Sequence, residues 1–324
     1  MLSKGCRLCQ QGAKLVLFIT GRCGRGCWYC PLARERKGND TVFANDREVS
    51  RPEEAVVEAR LMSALGSSIT GGEPLLVVDR VMEYTRALKE AFGPDHHIHL
   101  YSALVPDEET LKSLRGLVDE IRLHPPPEEW TDILDSPYLD GVRRAKARGF
   151  YAGFEVPALR GVEVLEAALP ELDFLNLNEL EWGEISADEM RRRGFRLTDD
   201  LHNAVKHSSR WAQPLRHHKK VHFCPSRYKD SVQLRERLKR IARNTARPFE
   251  EVTVDGTVMY GVTECNVDDH HSRSLMKEGQ YQDYGDHLEL SWKRLRHIAE
   301  QLPGRKYIIE RYPNGGIVVE MIPL

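Results

Sequence analysis

Residues 14–31 read KLVLFITGRCGRGCWYCP, an apolar run followed at once by a loop with three cysteines. The run from Leu15 to Thr20 is short and rich in β-branched and aromatic residues, which predicts a buried strand. The loop carries Cys23, Cys27 and Cys30 in a C-x3-C-x2-C pattern. A cubane iron–sulfur cluster needs four ligands, usually cysteine thiolates, so three neighbouring cysteines leave one iron open to another ligand. The stretch therefore predicts a strand that leads into a cofactor-binding loop.

The cysteine triplet has two alternative interpretations, half of a zinc site or a disulfide cluster. Structural zinc sites usually pair two C-x2-C arms. Disulfide clusters are typical of small secreted chains, whereas this sequence has 324 residues. A cluster with an open iron fits the spacing better than either alternative.

A second motif follows the next predicted strand, Ser67 to Thr70. Residues 70–74 read TGGEP and come one predicted helix, Arg51 to Gly66, after the cysteine loop. Two consecutive glycines permit positive φ and a close approach of the backbone to a ligand. Gly-Gly-Glu alone would be a turn in most proteins, but its distance from the cysteine loop indicates a second part of the same site.

The cysteine loop, with Tyr29 just before its last cysteine, and the TGGEP motif together resemble the radical S-adenosylmethionine (SAM) superfamily. The resemblance implies that the three loop cysteines ligate a [4Fe–4S] cluster whose open iron is chelated by the methionine moiety of SAM. It implies an enzyme that reductively cleaves SAM to a 5'-deoxyadenosyl radical, with an external electron donor such as a ferredoxin or flavodoxin. In this family the motif holds the methionine amino group, and the corresponding residues here are Gly71, Gly72, Glu73 and Pro74.

The resemblance extends over the whole chain. Its opening, GCRLCQQGAKLVLFITGRC (residues 5–23), and the block HFCPSRYKDSVQLRERLKRIA (residues 222–242) carry it. They are similar to an archaeal-type group of radical SAM proteins described as related to pyruvate formate-lyase activating enzymes. The additional C-x2-C pair and the basic C-terminal half depart from the small activating enzymes and argue against a glycyl-radical role.

Between Lys14 and about Trp182, short apolar runs alternate with amphipathic segments, which predicts parallel strands joined by crossover helices. The predicted strands are Leu15 to Thr20, Ser67 to Thr70, His97 to Ser102, Glu120 to Leu123, Phe150 to Val156 and Phe174 to Leu180. The predicted helices are Arg51 to Gly66, Asp79 to Phe92, Asp107 to Leu117, Thr131 to Arg148 and Val162 to Leu169. Six βα units match the partial (β/α)6 barrel that the resemblance implies, with the chemistry at the carboxyl ends of the strands.

The βα alternation ends after Trp182. Alternating apolar residues from about Glu251 and a hairpin pattern around Asn314, YIIERYPNGGIVVEMI, predict a smaller C-terminal α+β domain. The predicted organisation is an N-terminal auxiliary metal-binding arm (residues 1–13), a radical SAM partial barrel (14–183) and a basic C-terminal α+β region (184–324).

Polar residues at the predicted strand ends are further candidates for the site. By analogy with the superfamily, these positions contact the ribose, the carboxylate or the substrate. Each could instead be a half-buried polar group that neighbouring backbone satisfies. The candidates are Ser102, Arg122, His124, Glu155, Asn176 and Asn178.

Three more cysteines predict a second metal centre. Cys6 and Cys9 form a C-x2-C pair, and Cys224 lies in a Cys-Pro context like that of Cys30. In an intracellular chain such a pair more often binds metal or cycles redox state than packs, although free cysteine is also commonly buried. An iron–sulfur cluster is favoured over zinc, with Cys265 or a nearby histidine such as His222 as a possible fourth ligand.

The charge of the chain is unevenly distributed. The segment from Arg191 to Arg243 holds 16 Lys and Arg against 4 acids, a balance of +12, so the rest carries −14 against an overall charge of −2. Clustered Lys and Arg neutralise phosphates, and the interleaved Trp211, Phe223 and Tyr228 could stack on bases. The segment could instead be a solvated helix face.

Three substrate hypotheses follow from this distribution. The first is radical modification of an anionic substrate, most plausibly RNA such as tRNA. The second is a radical enzyme acting on a small phosphorylated or carboxylated metabolite, and the third is a non-catalytic iron–sulfur sensor that binds nucleic acid.

The sequence also predicts the compartment. The hydrophobic content of 41% is ordinary for a globular protein. No run approaches the length of a membrane span, and the N-terminus lacks a signal-peptide pattern. We expect a cytoplasmic protein without membrane contact, whose seven cysteines serve metals in a reducing compartment.

Overall fold

The computed structural model describes residues 2–264, 275 and 280–324. Its contacts divide the chain into two compact units. The barrel unit comprises Met1–Arg60 and Ala64–Gln233, and the C-terminal unit comprises Leu61–Ser63 and Leu234–Leu324. The division falls about fifty residues after the boundary that the sequence predicts at 183/184.

The barrel unit is built on a nine-stranded sheet. Seven strands run parallel, and an antiparallel hairpin extends the sheet at one edge. The strands are β1 (Lys14–Phe18), β2 (Val42–Ala44), β3 (Arg47–Val49), β4 (Gly66–Thr70), β5 (His97–Ser102), β6 (Glu120–Leu123), β7 (Tyr151–Pro157), β8 (Leu175–Asn178) and β9 (Val221–Cys224). Their order is β3-β2-β1-β4-β5-β6-β7-β8-β9.

All six predicted strands are present, which confirms the α/β architecture. The seventh parallel strand, β9, differs from the prediction, which assigned its VHFC sequence to the C-terminal domain. It pairs with β8, so that Asn176 lies opposite His222 and Asn178 opposite Cys224. The barrel unit therefore includes residues up to Gln233.

Four of the five predicted helical regions contain an α-helix with different ends, and further helices lie outside the predicted regions. The helices of the barrel unit are α1 (Lys4–Gln10), α2 (Pro52–Leu61), α3 (Val78–Phe92), α4 (Glu108–Leu114), α5 (Pro137–Ala147), α6 (Ala187–Arg192), α7 (Ser208–Trp211) and α8 (Ser226–Tyr228), and a π-helical segment follows at Lys229–Leu234. Asp107 caps α4 by accepting a hydrogen bond from the Thr110 amide (2.8 Å).

Three predicted helices are wrong in extent or type. Gly66 belongs to β4, where a Cβ would lie 2.4 Å from the His97 carbonyl oxygen, so only glycine permits this approach of the strands. The region 131–148 is broken because Ser136 caps a new helix at Pro137. The segment Val162–Ala168 is a 3-10 helix.

Helix α1 packs against the amino-terminal ends of the barrel strands. The Ser3 hydroxyl donates to Glu120 Oε1 (3.0 Å), and the Gly5 amide donates to Glu120 Oε2 (3.3 Å). A Cβ on Gly5 would lie 2.4 Å from His99 Nδ1. This close packing directs the Cys6 side chain into the barrel, where it is buried.

The C-terminal unit contains an antiparallel sheet, as predicted for an α+β domain. The elements are α9 (Arg235–Thr245), β10 (Glu251–Val252), β11 (Val258–Thr263), β12 (Tyr281–Asp283), β13 (Leu288–Leu290), α10 (Trp292–Ile298), β14 (Lys306–Arg311) and β15 (Val318–Pro323). The order of the strands in the sheet is β12-β13-β11-β14-β15, with β10 paired to β11. The predicted hairpin around Asn314 is the β14–β15 pair.

Among residues 2–264, 275 and 280–324, no helix combines the length and apolar composition that crossing a bilayer requires.

Candidate functional site

The cysteine loop and the TGGEP motif meet at the carboxyl ends of β1 and β4. The Gly72 amide donates to the Thr20 carbonyl (2.6 Å), and the Glu73 amide donates to the Arg22 carbonyl (2.8 Å). A Cβ on Gly71 or Gly72 would lie 2.5 or 2.4 Å from a backbone carbonyl oxygen of the loop. The two glycines are therefore required for the motifs to pack together.

Both motifs line one cavity, here called the first cavity. Its walls come from the cysteine loop, the glycine edge and the strand ends. The predicted site residues among them are Cys23, Cys27, Tyr29, Cys30, Gly71, Gly72, Pro74, Ser102, His124, Glu155 and Asn178. The structure thus brings most of the predicted cofactor-binding residues to one place.

The carboxylate of Glu73 is buried and fully engaged by the protein. Oε1 accepts hydrogen bonds from the Leu75 amide (3.0 Å) and the Ser102 hydroxyl (2.8 Å). Oε2 accepts from the amides of Ala103 (2.7 Å) and Leu104 (3.1 Å). Burial raises the pKa of Glu73, although these four hydrogen bonds oppose the rise. Glu73 therefore ties the glycine edge to the loop that follows β5.

Tyr29 is held by a hydrogen-bonded chain across the first cavity. Its hydroxyl lies 3.0 Å from His124 Nε2, and His124 Nδ1 lies 2.9 Å from the Glu155 carbonyl oxygen. Because a carbonyl only accepts, Nδ1 carries the proton and Nε2 accepts from Tyr29. Burial lowers the pKa of His124 and raises that of Tyr29, so both are neutral near pH 7.

A second cavity lies beside the first within the barrel unit. Cys6, Cys9 and Cys224 all line it. The side chains that line both cavities are Pro31, Thr70, Tyr101, Glu155, Asn178 and Lys229. The two predicted cysteine groups are therefore separated by a shared wall of side chains.

Glu155 is the centre of this shared wall. Its carboxylate accepts from Tyr101, from Arg122 (2.5 Å), and from Asn176 and Asn178 (3.0 and 2.7 Å). Burial alone would raise its pKa, but the Arg122 guanidinium and these hydrogen bonds lower the pKa of Glu155 to about 2. The wall therefore carries a fixed carboxylate–guanidinium pair.

Two of the three cysteine sulfurs of the second cavity receive hydrogen bonds from side-chain donors. Arg122 Nη2 lies 3.5 Å and Asn176 Nδ2 3.4 Å from Cys6 Sγ. Gln233 Nε2 lies 3.9 Å from Cys224 Sγ. Donors directed at sulfur stabilise thiolates, and such outer-shell contacts tune metal-bound cysteine. Burial raises the pKa of Cys224 to about 12, so a metal would have to displace its proton.

The spacing of these cysteines bears on which metal could bind. Bonds of about 2.3 Å to a tetrahedral zinc would place sulfurs about 3.8 Å apart. Within the described chain, three ligand atoms lie within 4.8 Å of one another only at Glu166, His217 and His218, and in neither cysteine triplet. The wider spacing fits the several metals of a cluster better than a single ion. Cys265, a possible further ligand, lies outside the described residues.

Three predicted cofactor contacts lie elsewhere than expected. Glu73 is not among the side chains that line the first cavity. Arg122 and Asn176 line the second cavity and not the first. Four residues outside the predicted set line both cavities, namely Pro31, Thr70, Tyr101 and Lys229. Burial alone would lower the pKa of Lys229, but the Glu181 carboxylate (2.6 Å from the ammonium) and Cys224 raise this pKa above its ordinary value. A π-helical segment begins at Lys229, and such segments frequently occur at functional sites, but its sequence gives no signal of one.

Part of the predicted basic segment is ion-paired where the structure describes it. Arg191, Arg192 and Arg193 pair with acids on their own helix or its end. Arg235 and Lys239 pair with Glu236. The segment also divides between the two units at Gln233, so its charge does not form one continuous helix face.

A smaller group of cations adjoins the cysteine loop, and we call it the aromatic–cationic patch. Trp28 stacks on Phe195 (5.0 Å between ring centroids), and Trp211 meets Phe195 edge-on at 6.0 Å. The patch also contains three exposed cations, Arg196, Lys206 and Arg210. None of the three forms an ion pair within the described part of the chain. Lys206 donates its amide to the Arg196 carbonyl (2.9 Å), which holds these two residues side by side.

Two family models and one relative match this chain. A family model described as the radical SAM superfamily matches residues 17–162. A second model, described as a domain of unknown function, matches residues 256–324. A protein of Methanocaldococcus jannaschii, provisionally named as a glycyl-radical enzyme activating enzyme, is 35% identical over 350 residues, covering 100% of this chain and 93% of the relative.

Among solved structures, similarity is found to SuiB of Streptococcus suis. SuiB bound to S-adenosylmethionine matches with a TM-score of 0.43 and 12% identity, over 66% of this chain and 50% of that chain. SuiB bound to the precursor peptide SuiA matches with a TM-score of 0.42 and 11% identity, over 67% of this chain and 51% of that chain. The chain thus spans about half the length of SuiB.

Proposed function

Because the chain belongs to the radical S-adenosylmethionine superfamily, we propose that its first cavity binds SAM beside a [4Fe–4S] cluster ligated by Cys23, Cys27 and Cys30. The observation that carries this proposal is the backbone pairing of the cysteine loop with the glycine edge in one cavity. When bound, the cluster supplies the electron that splits SAM into methionine and a 5'-deoxyadenosyl radical. Three half-buried cysteines on one loop fit such a cluster with one open iron.

The chain's own residues would position the cofactor. Gly71 and Gly72 keep the backbone edge open for the methionine moiety, and Pro74 begins the 3-10 turn behind it. Ser102, His124 and Asn178 present polar atoms to the same cavity. We assign Arg122 and Asn176 to the second cavity, since their side chains contact Cys6 there.

The Glu73→Gln variant tests the role of the glycine edge in SAM binding. Glu73→Gln turns one oxygen into a donor that faces two protein donors, which costs about 1–3 kcal/mol. We expect the affinity for SAM to fall about tenfold or more, while the iron content stays unchanged because Glu73 is not a proposed ligand. Equilibrium dialysis with labelled SAM and iron analysis measure the two effects. Glu53→Gln, at an exposed position, is the matched control. Loss of iron from the Glu73→Gln variant would instead indicate a structural role for Glu73.

We further propose that Cys6, Cys9 and Cys224 hold a second iron–sulfur cluster. The three cysteines come from α1 and β9, distant in sequence, yet line one cavity. The donors directed at Cys6 and Cys224 and the wide spacing of the sulfurs support a cluster over zinc. A cluster here would fasten the N-terminal helix to the last strand of the barrel.

For the substrate, we propose RNA. The aromatic–cationic patch supports this choice, because single-stranded nucleic acid binds where aromatic rings stack on bases and cations track the backbone. Arg193 lies over the Trp28 ring (4.8 Å), and Trp28 itself lies inside the cysteine loop. A base bound on this patch would therefore adjoin the first cavity. A small phosphorylated or carboxylated metabolite without a ring system would not stack on these aromatic side chains.

The RNA proposal predicts a strong dependence of binding on salt. The log–log slope should be about −0.7 for each single-strand phosphate contact and about −0.9 for each duplex contact. Replacing Arg196, Lys206 and Arg210 with alanine should flatten the slope and weaken binding to a single-stranded oligonucleotide, measured by fluorescence anisotropy. The matched control removes three exposed cations elsewhere on the barrel unit, Arg86, Lys112 and Arg115. Equal binding by both variants at every salt concentration would remove the patch from the proposal.

The provisional name of the Methanocaldococcus jannaschii relative favours a second candidate, the activation of a glycyl-radical enzyme. The two candidates differ in what is modified. Anaerobic incubation of the reconstituted protein with RNA, metabolite and protein pools would show which pool changes. A glycyl radical signal in a polypeptide, with unmodified RNA, would favour the second candidate.

A further inference from the structure

The second cavity offers one more ligand besides its three cysteines. A closed cubane cluster takes four ligands, and the cysteines of this cavity supply three. His222 also lines the cavity, and it is the one histidine among the lining side chains of the described chain.

The position of His222 follows from the strand register. His222 and Cys224 are two residues apart on β9, so their side chains lie on the same face of the sheet. His222 pairs with Asn176 on β8, and Asn176 Nδ2 contacts Cys6 Sγ (3.4 Å). The imidazole is thus flanked by Cys224 along its own strand and by Asn176 and Cys6 across to the next.

The hydrogen bonding of His222 differs from that of three other histidines in the barrel unit. His96 contacts Ser67 (2.8 Å), His99 contacts Lys14 (3.3 Å), and His124 uses both ring nitrogens. The ring of His222 makes no hydrogen bond within the part of the chain that the structure describes. A half-buried imidazole beside three thiols and without a hydrogen-bond partner is chemically available as a ligand.

The neighbouring amide has a matching deficit. Asn176 is buried, and its Oδ1 atom has no hydrogen-bond partner, whereas its Nδ2 atom serves Cys6 and Glu155. A ligating histidine usually donates its other ring N–H to an oxygen acceptor, which fixes the ring. If one ring nitrogen of His222 bound the metal and the other donated to Asn176 Oδ1, both the imidazole and the amide oxygen would have partners.

We propose that His222 is the fourth ligand of the auxiliary iron–sulfur cluster, with its second ring nitrogen donating to Asn176 Oδ1. This inference rests on the proposed cluster at Cys6, Cys9 and Cys224. The cluster is then closed, so none of its irons is open to a substrate. Its role is electron transfer or stabilisation of the barrel, and the substrate reacts at the first cavity alone.

The test isolates the auxiliary cluster by placing the Cys23, Cys27 and Cys30 alanine substitutions in the background. Pulsed EPR of the reduced protein with 15N-labelled histidine should show a nitrogen hyperfine coupling typical of a ligated imidazole. The coupling should disappear in His222→Ala and remain in His297→Ala, an exposed control. His222→Cys should keep four irons and move the midpoint potential to a more negative value, because histidine ligation raises it.

The outcomes separate the inference from the proposal beneath it. No iron in the background variant would overturn the auxiliary cluster and His222 together. Iron with no histidine coupling, or a coupling that survives in His222→Ala, would overturn the His222 assignment alone. If the background variant fails to fold, the same spectra of the parent chain and of His222→Cys decide, since the other cluster contributes equally to both.

Discussion

Replacing Cys23, Cys27 and Cys30 together with alanine should abolish the reductive cleavage of SAM to 5'-deoxyadenosine. The three thiolates are the proposed ligands of the cluster that supplies the electron, and no other cysteine lines the first cavity in the described chain. The loop cysteines are half-buried and outside the strands, so the barrel should still fold. Anaerobic incubation with SAM and dithionite, followed by chromatography of the nucleoside products, measures the loss.

Two controls make this result specific. The parent protein, reconstituted in the same way, sets the full rate of cleavage. The Arg86, Lys112 and Arg115 alanine variant, with three exposed residues changed, should cleave SAM at the rate of the parent. Undiminished cleavage by the cysteine variant would contradict the assignment of the cluster to this loop.

Replacing Cys6 and Cys9 with alanine should lower the iron content by about half, as expected for the loss of one of two four-iron clusters. Cys224 and His222 alone would leave too few ligands to hold the cluster. SAM should still bind, because the first cavity keeps its three cysteines and its glycine edge. Iron analysis and SAM binding measured on the same sample test both parts.

The metal found decides between the possible roles of this site. Stoichiometric zinc in the parent protein, lost in the Cys6 and Cys9 variant, would make the site structural. A metal content that does not change in the variant would remove the second site altogether. Retained iron together with lost SAM binding would show that the shared wall, and not a second cluster, depends on these cysteines.

The sequence was sufficient to predict the first cavity. Its two motifs lie directly after apolar strands, and parallel strands bring their carboxyl ends to one edge of the sheet. The glycine edge and the loop are joined by backbone hydrogen bonds, which do not depend on side-chain identity once the glycines permit the approach. The six strands were equally predictable, because each is a short run with buried apolar positions that alternates with helical or turn residues.

The second cavity was harder to predict, because the strand register decides how deep in the barrel each side chain lies. Alternation along a strand gives the face of a residue, and Asn176 and Asn178 share one. It does not say that Asn178 reaches both cavities while Asn176, one layer deeper, reaches only the second.

Strand β9 was misplaced for a related reason. Its four residues, VHFC, are only half-buried and follow a long basic segment. Local pattern gave no reason to pair them with β8, and only the tertiary structure brings Cys224 to Cys6. The pairing of the basic residues with nearby acids was likewise invisible in a charge count.

The central claim is that SAM binds directly to the cluster held by the cysteine loop, and electron–nuclear double resonance tests it most directly. The reduced protein would be mixed with SAM labelled with 15N in the amino group or 17O in the carboxylate. The account predicts hyperfine coupling from both labels to the cluster, present in the parent chain and in the Cys6 and Cys9 variant. A reduced cluster that shows no coupling to either label at saturating SAM would contradict it.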